Sequence, residues 1–425
     1  MVAIGTAEDA KSILTGKRLL LLGGQQKMCD VVKRAHELGV YVVVTDWYEN
    51  SPAKRMADKA CDVSIADVDA VLALIREEKI DGVFTGFIDS YLPYYREICE
   101  RAGLPCYLNE RMLACSTDKA LFKQICREVG LDVIPDADIS DPAVTEYPVV
   151  IKPVDNSGSK GITVCSDATM LRRAVDRAKR FSRKKRFLAE KFLDCDYIAA
   201  YYTVRDGEPR LTMLTDKDVN RVGRGKIPFP AAYVTPSRYQ QPYLERIDPR
   251  VRKLTERLGF RNGSFLISFF VNGARYYAVE LAARLTSTRE YVLTGEDLLG
   301  MHIRHALTGE FRGEAFQNRV NDGNIYCMLL HFIKEGTIGR IEGLDEIRAM
   351  NGVLDVLQYR DIGAAIRADG SYGQLFYRVY LQAADEREMI ARVEEIQRLL
   401  NVVSTEGRPM LVTGFDARSF FDYSV

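Results

Sequence analysis

The sequence predicts a protein built from several α/β and α+β domains. At 425 residues the chain is longer than the size at which one hydrophobic core usually stops growing, so about two to four domains are expected. Continuous apolar runs alternate with helical patterns as far as Ala102, which indicates a parallel sheet covered on both faces. Paired-strand signals dominate the middle of the chain, and strands mix with a long helix after Asn321.

Charge and cysteine usage narrow the class of protein. The chain has 59 basic and 59 acidic residues, so its formal net charge is zero and no overall field favours nucleic acid or an anionic membrane. Nine cysteines are scattered singly, which fits reduced thiols better than a disulfide framework. Four histidines without metal-ligand spacing argue against zinc. We therefore expect no nucleic-acid partner.

Targeting and membrane signals are missing from the sequence. The first 17 residues carry an acidic pair where a signal peptide needs a basic start and an apolar core. No apolar run approaches the roughly 20 residues that span a bilayer. The expectation is a soluble, cytoplasmic protein with no membrane partner.

The first domain begins with a β-α-β unit. Its elements are the apolar run Lys17 to Gly23, the helical pattern Gln25 to Leu38 and the β-branched run Val40 to Thr45. The loop after the first strand is Gly-Gly-Gln-Gln, at the end of a strand where open α/β sheets bind ligands, although a tight strand-to-helix turn is the simpler interpretation. It lacks G-x-G-x-x-G, which disfavours a dehydrogenase. Gly86, Asp89 and Ser90 follow a later strand and either face the same crevice or cap a helix.

A lysine opens the next helix. Ser116, Thr117 and Asp118 form an N-cap cluster before an amphipathic helix over Lys119 to Val129. A cation at a helix N-terminus is electrostatically misplaced, so Lys119 suggests an anion nearby.

A second lysine ends an apolar strand. The β-branched residues Val149 to Ile151 read as a buried strand, and Lys152 follows directly, where burial costs several kcal/mol unless an anion meets the charge. The loop from Asp155 to Gly161 then leads to a strand over Ile162 to Cys165. A loop of this composition either is a simple hairpin turn or presents its backbone N–H groups to a phosphate.

Later strands carry further charges. Phe187 to Leu193 reads as a strand with an acid and a base, and Lys217 to Pro236 reads as a long irregular loop, usually a lid or a binding loop. A hairpin around Asn272-Gly273 places Glu280 and Arg284 among apolar neighbours. Such charges need partners, so either they pair with each other or they meet a metal–nucleotide complex.

Taken together, these stretches resemble the ATP-grasp superfamily. The ordered motifs are Ser-Thr-Asp-Lys opening a helix, V-V-I-K-P with a Ser/Gly loop, A-E-K-F-L, E-L-A-A-R and G-E-D-L-L. They are most similar to those of the carboxylate–amine ligases and the group of carbamoyl-phosphate synthase and biotin carboxylase. The resemblance implies a pre-ATP-grasp parallel α/β domain (1–115), an ATP-grasp domain of two subdomains (116–187 and 188–315) and a small C-terminal α+β domain (316–425).

The resemblance also assigns roles to residues by position. It implies that Lys119 and Lys152 contact nucleotide phosphates, that Glu280 holds Mg²⁺ and that Arg284 lies near the acyl-phosphate. Lys217 and Arg224 would sit beside the transferred phosphate. The loop that would close over the phosphates is Ser157, Gly158, Ser159, Lys160 and Gly161. The residues that would meet the adenine and ribose are Glu190, Lys191, Phe192, Leu193 and Asp196, with backbone groups of Lys191 and Leu193 reading the adenine edge.

The implied activity is ATP-dependent ligation of a small-molecule carboxylate to an amine through an acylphosphate, with ATP and Mg²⁺. Because the family often forms dimers, the resemblance also suggests a homodimer. The family usually has an acidic metal ligand and E-x-N-x-R on its last hairpin, whereas this chain has Ser268 and Ala282 at the corresponding positions. The alternative is therefore an ATP-binding homologue with little or no turnover that serves as a regulatory or assembly subunit.

Overall fold

The computed structural model describes residues 13–156, 160–220, 229–312, 322–368, 372–412 and 414–422. The predicted loop residues Ser157, Gly158 and Ser159, and the predicted lid residue Arg224, lie outside these ranges.

A four-stranded parallel sheet forms the first part of the chain. Its strands are β1 (Arg18–Leu22), β2 (Tyr41–Thr45), β3 (Lys59–Cys61) and β4 (Gly82–Thr85), in the order β3-β2-β1-β4. Its helices are α1 (Cys29–Glu37), α2 (Val68–Glu77) and α3 (Leu92–Ala102). Alternate leucines of β1 enter two different hydrophobic cores, one on each face of the sheet. This two-sided burial is why the strand is apolar throughout, and the predicted parallel α/β start is confirmed.

A small lobe follows. Two helices precede it, α4 (Glu110–Thr117) and α5 (Lys119–Glu128), the second capped by the Asp118 side chain. The lobe itself is an antiparallel sheet in the order β7-β6-β8 covered by α6 (Ala168–Phe181). Its strands are β6 (Val149–Pro153), β7 (Thr163–Cys165) and β8 (Phe187–Lys191). Helix α4 was not predicted. Ser116 and Thr117, expected to form an N-cap cluster with Asp118, instead lie in the last turn of α4, and only Asp118 caps α5.

The largest sheet has nine strands in the order β16-β18-β14-β11-β10-β9-β12-β13-β5. They are β5 (Asp132–Val133), β9 (Asp196–Arg205), β10 (Glu208–Asn220), β11 (Phe229–Thr235), β12 (Gly263–Asn272), β13 (Arg275–Ala282), β14 (Ile325–Phe332), β16 (Val353–Gln358) and β18 (Leu375–Ala383). The sheet takes strands from both sides of the domain boundary predicted at 315/316, so backbone hydrogen bonds join the two parts.

The remaining elements pack around this sheet. They are the strands β15 (Gly336–Glu342), β17 (Ala365–Ile366) and β19 (Asn401–Ser404), and the helices α7 (Gln240–Arg246), α8 (Asp248–Leu258), α9 (Glu290–Thr294), α10 (Leu298–Thr308), α11 (Leu344–Ala349), α12 (Glu386–Leu399) and α13 (Ala417–Asp422). Within the described ranges, none of the helices has both the length and the apolarity needed to cross a membrane.

The predicted lid is more regular than its sequence indicates. Strand β10 continues through Asn220 and β11 begins at Phe229, so most of the stretch expected to be irregular is a strand pair. Lys217 therefore lies on a strand, opposite Tyr233. Glycines and prolines in the segment obscured this pairing in the sequence.

Candidate active site

One large cleft lies between the parallel domain, the small lobe and the nine-stranded sheet. Its volume is about 2080 Å³. The predicted site residues that line it are Lys119, Lys152, Glu190, Lys191, Phe192, Leu193, Lys217, Glu280 and Arg284. Gln25, Gln26, Asp89 and Ser90, from the loops at the carboxyl ends of β1 and β4, line the same cleft. Residues far apart in sequence thus meet in one place.

A buried ion-pair network links α5 to the small lobe. The Lys152 Nζ lies 2.6 Å from Glu190 Oε2, and the Lys123 Nζ lies 3.0 Å from Glu190 Oε1. All three side chains are buried. Asp136 also pairs with Lys123. The Lys152 charge, which the sequence indicated must meet an anion, therefore already has a protein carboxylate as partner.

Lys119 reaches from the start of α5 toward the loop after β6. Its Nζ donates to the Asn156 carbonyl, and its backbone N–H donates to the Val154 carbonyl at 2.8 Å. Burial lowers its pKa, the Glu280 carboxylate opposes that shift, and the nearby Lys152 ammonium adds to it. Two ammonium groups facing one cleft create a site for an anion.

The loop between β6 and β7 re-enters the described structure at Lys160. Lys160 is exposed and does not line the cleft. Gly161 has a φ of +83°, and a Cβ there would lie 2.6 Å from Phe181 Cβ and 2.9 Å from Pro153 Cγ. Position 161 therefore requires glycine for both its backbone conformation and its space.

The end of strand β8, predicted to meet adenine, lines the cleft, but Lys191 and Asp196 are not placed as predicted. The Lys191 N–H donates to the Pro135 carbonyl at 3.0 Å, so it is not a donor for a ligand in this structure. Asp196 is not brought to the cleft: its carboxylate accepts from the Tyr239 hydroxyl. Because side chains alternate along a strand, it is the neighbouring Tyr197 that faces the cleft.

Glu280 and Lys217 project from the floor of the cleft. In the described part of the chain, no side chain is ion-paired or hydrogen-bonded to Glu280. Lys217 is held over the Tyr197 ring, its Nζ 3.9 Å from the ring centroid. Desolvation lowers the pKa of Lys217 to about 8, against the attraction of Glu280. Magnesium binds through one or two carboxylates plus waters and substrate phosphates, so this exposed carboxylate fits such an ion.

Arg284 connects the sheet to the parallel domain. Its guanidinium makes two hydrogen bonds to the Asp89 carboxylate, of 2.7 and 2.5 Å. The prediction left open whether Glu280 and Arg284 pair with each other. The structure instead pairs Arg284 with Asp89, which leaves Glu280 facing the cleft.

Three cations of this region were missed by sequence reasoning. Lys123 lies one helical turn after Lys119, Lys27 follows the loop after β1, and Arg378 interrupts the apolar strand β18. The signal for Arg378 was the one that singled out Lys152, a charge within an apolar run. Burial lowers the pKa of Lys27 to about 7, with further lowering by Arg284 and Arg378.

The positions that depart from the usual motif lie beside Glu280. Ser268 is the cross-strand partner of Glu280, and Ala282 is the partner of Leu266. All four line the cleft. The site therefore has one carboxylate at the point where the strand pair presents its side chains.

These features define a class of fold: a parallel α/β domain and a small lobe that face a large sheet across a cation-lined cleft. Residues 145–289 match the family model of the ATP-grasp domain. The chain therefore contains an ATP-grasp domain, and the resemblance predicted from its sequence is confirmed.

Sequence relatives include a formate-dependent phosphoribosylglycinamide formyltransferase from Maridesulfovibrio salexigens. It is 28% identical over 325 residues, which cover 72% of this chain and 78% of the relative. A protein of the same name from Solidesulfovibrio magneticus is 28% identical over 319 residues, with the same two coverages.

Solved structures share the fold over most of the chain. An L-amino acid ligase from Bacillus licheniformis superposes with a TM-score of 0.76 at 19% identity, covering 92% of this chain and 99% of the ligase. The biotin carboxylase domain of Hydrogenobacter thermophilus 2-oxoglutarate carboxylase, solved with MgADP, ADP and bicarbonate, gives 0.73 at 18% identity, with coverages of 93% and 91%. The predicted fold class is confirmed.

Proposed function

We propose that this protein is an ATP-dependent ligase that activates a small carboxylate as an acylphosphate and joins it to an amine. The observation that carries the proposal is the meeting of Lys119, Lys217, Glu280 and Arg284 in one cleft of an ATP-grasp fold. The named relatives are enzymes, including a formyltransferase and an amino acid ligase.

The reaction has two steps. A carboxylate oxygen attacks the γ-phosphorus of ATP, the bond to the β,γ-bridging oxygen breaks, and ADP leaves. The amine nitrogen then attacks the acyl carbon, the bond to the phosphate oxygen breaks, and phosphate and one proton are released. Phosphoryl transfer depends mainly on positioning and charge neutralisation, so lysines, an arginine and a metal-binding carboxylate are the groups that this chemistry requires.

Each residue has a defined task in this scheme. Lys119 and Lys152 bind nucleotide phosphates at the edge of the small lobe. Lys217 lies beside the transferred phosphoryl group, and Arg284, fixed by Asp89, neutralises the carboxylate and its acylphosphate. Glu280 holds Mg²⁺, which supplies charge neutralisation between the phosphates when it is bound.

We also propose domain boundaries near residues 115 and 315 and a cytoplasmic location. The latter is supported by nine cysteines that are all free thiols.

The regulatory alternative rests on Ser268 and Ala282. Neither change removes Glu280 from the cleft or gives it a protein partner among the described residues. A single carboxylate is sufficient for a hydrated magnesium ion bound to phosphates. The active ligase is therefore the better supported of the two functions.

Hydroxylamine trapping tests the proposal directly. The full chain is incubated with Mg²⁺, ATP, hydroxylamine and a panel of small carboxylates, starting with formate, bicarbonate and the twenty L-amino acids. An active ligase releases ADP in proportion to hydroxamate, because hydroxylamine intercepts the acylphosphate. Tight ATP binding without ADP release on any carboxylate would instead support the regulatory subunit.

A further inference from the structure

Two cysteines near the end of α3 lie in contact. Cys99 belongs to the last turn of that helix, and Gly103 ends the helix with a φ of +67°. The chain then turns back, so that the Leu104 N–H donates to the Cys99 carbonyl at 2.9 Å. This turn places Cys106 beside Cys99, and the two thiols are hydrogen-bonded to each other. Two sulfur atoms held in contact are poised to form a disulfide.

The two thiols differ in exposure and in acidity. Cys99 is fully buried, whereas Cys106 is partly exposed. The hydrogen bond from the Cys99 thiol lowers the pKa of Cys106 despite partial burial, and the Tyr95 hydroxyl lowers it further. All nine cysteines lie in the described ranges, and the pKa is raised in each of the other eight. An accessible, acidic thiol beside a second thiol is the usual arrangement of a redox-sensing pair.

The residue after Cys106 connects this pair to the cleft. Tyr107 is buried, and its backbone N–H donates to the Tyr95 hydroxyl at 3.4 Å. Its own hydroxyl donates to the Ala283 carbonyl at 3.2 Å. Ala283 directly precedes Arg284, which lines the cleft. A displacement of Cys106 therefore reaches the cleft through a single side chain.

Tyr107 fills its site closely. Its ring packs edge-on against His302, with 5.2 Å between the ring centroids, and a Cβ at Gly263 would lie 2.9 Å from its Cδ2. A covalent sulfur–sulfur bond is shorter than the thiol contact that it replaces, so Cys106 must move toward the helix that holds Cys99. Because the Tyr107 ring has little free space, this movement disturbs its hydrogen bond to the Ala283 carbonyl.

We propose that a peroxide oxidises Cys99 and Cys106 to a reversible disulfide, and that this bond alters the cleft by displacing Tyr107. The modification site goes beyond the proposed ligase function, and only its effect on turnover rests on that function. In a reducing compartment a disulfide is usually transient, as a redox sensor requires.

The oxidation has two steps. The Cys106 thiolate attacks one oxygen of hydrogen peroxide, the O–O bond breaks, and hydroxide leaves and takes up the proton that Cys106 lost. The Cys99 sulfur then attacks the sulfur of the Cys106 sulfenic acid, the S–O bond breaks, and water leaves with the Cys99 proton. The two thiols lose two electrons and two protons, and the peroxide is reduced to two water molecules.

Peptide mapping of the full chain tests the modification. The reduced protein is treated with limiting hydrogen peroxide, its remaining thiols are alkylated, and it is digested with trypsin, which cleaves after Arg101, between the two cysteines. We expect residues 97–101 and 102–111 to be recovered as one disulfide-linked pair that dithiothreitol separates. We also expect Cys106 to react about 10-fold faster than Cys61, which is also partly exposed. Oxidation of other cysteines before this pair, or no linked peptides, would overturn the proposal.

Substitutions separate the roles of the two thiols. Cys99→Ser removes the second thiol, so the sulfenic acid on Cys106 should persist and be trapped by dimedone. Cys106→Ser should abolish the reaction of this segment with peroxide, and the control Cys61→Ser should leave the linked peptides unchanged. If Cys99 is oxidised as fast in Cys106→Ser as in the native protein, Cys106 is not the attacking thiol and the proposal is wrong.

Comparison of the oxidised and reduced native protein tests the effect on the cleft. After removal of peroxide, hydrogen exchange of residues 282–286 should be about 3-fold or more faster in the oxidised protein and should return to its original rate with dithiothreitol. Hydroxamate formation should fall about 10-fold and recover in the same way. Unchanged exchange in the disulfide-linked protein would overturn the connection through Tyr107. Absence of hydroxamate in the reduced protein would refute the ligase function, whereas peptide mapping and hydrogen exchange need no turnover.

Discussion

Charged side chains meet the cleft in two regions that differ in how their charges are balanced. Where α5 meets the small lobe, Lys123 of the helix and Lys152 of the lobe share the buried Glu190. On the floor of the large sheet, Glu280 and Arg378 have no ion-pair partner within the described residues. In the first region, protein side chains balance each other's charges. The second presents charge to the cleft, which indicates that its partners arrive as ligands.

Removing the shared carboxylate of the small lobe should have the largest effect. Glu190→Gln leaves two buried ammonium groups facing one neutral amide, and we expect the free energy of unfolding to fall by about 3–5 kcal/mol. Urea denaturation measures it. The matched control is Glu146→Gln, which breaks the exposed pair with Lys191 and should cost less than about 1 kcal/mol. Similar losses in the two variants would show that the buried network is not a structural element.

Glu280→Gln, unlike Glu190→Gln, should lower activity and leave stability almost unchanged. Because Glu280 has no protein partner in the described ranges, its loss should change the free energy of unfolding by less than about 0.5 kcal/mol. We expect Mg²⁺-dependent ADP release to fall about 100-fold or more, since the metal loses its protein carboxylate. Steady-state kinetics over a range of Mg²⁺ concentrations measures the effect. Intact turnover in Glu280→Gln would place the metal elsewhere.

A comparison of Lys152 with Lys123 tests whether one lysine of the buried ion-pair network also binds the nucleotide. Both pair with Glu190, but only Lys152 lines the cleft. Lys152→Met should raise the KM for ATP about 10-fold, because a charge-assisted contact to phosphate is lost. Lys123→Met should destabilise the protein and leave the KM of the folded fraction within about 2-fold. Equal KM values for the two variants would make Lys152 a purely structural residue.

The smallest expected effect is a change in pH dependence. The pKa of Lys217 is about 8, so its positive charge is present below that pH and is lost as the pH rises through it. Accordingly, kcat/KM, which reports on the free enzyme, should fall above about pH 8. In Lys217→Arg this limb should move to much higher pH, because arginine stays protonated. If kcat/KM of Lys217→Arg still falls above about pH 8, the decrease is caused by the titration of another group.

Much of the fold could be predicted from local sequence. The continuous apolar runs of β1, β2 and β4 indicated strands covered on both faces, and the structure shows both faces covered. Pairing across long distances could not be predicted. Pairing of β14 with β11 brings the C-terminal strands into the large sheet. No local sequence pattern determines which strand edge another strand will pair with.

The candidate site, like the fold, has features that local sequence predicts and features that only the folded chain decides. By itself the sequence determined which side chains are too costly to bury alone, and it singled out Lys152, Glu280 and Arg284 for that reason. Only the tertiary structure decided which partner each one meets: Glu190 for Lys152, Asp89 for Arg284 and no described side chain for Glu280. The penalty for burying a charge depends on the residue and its immediate neighbours, and these are visible in the sequence. The identity of its partner depends on how distant strands and domains are brought together, and this is visible only in the folded chain.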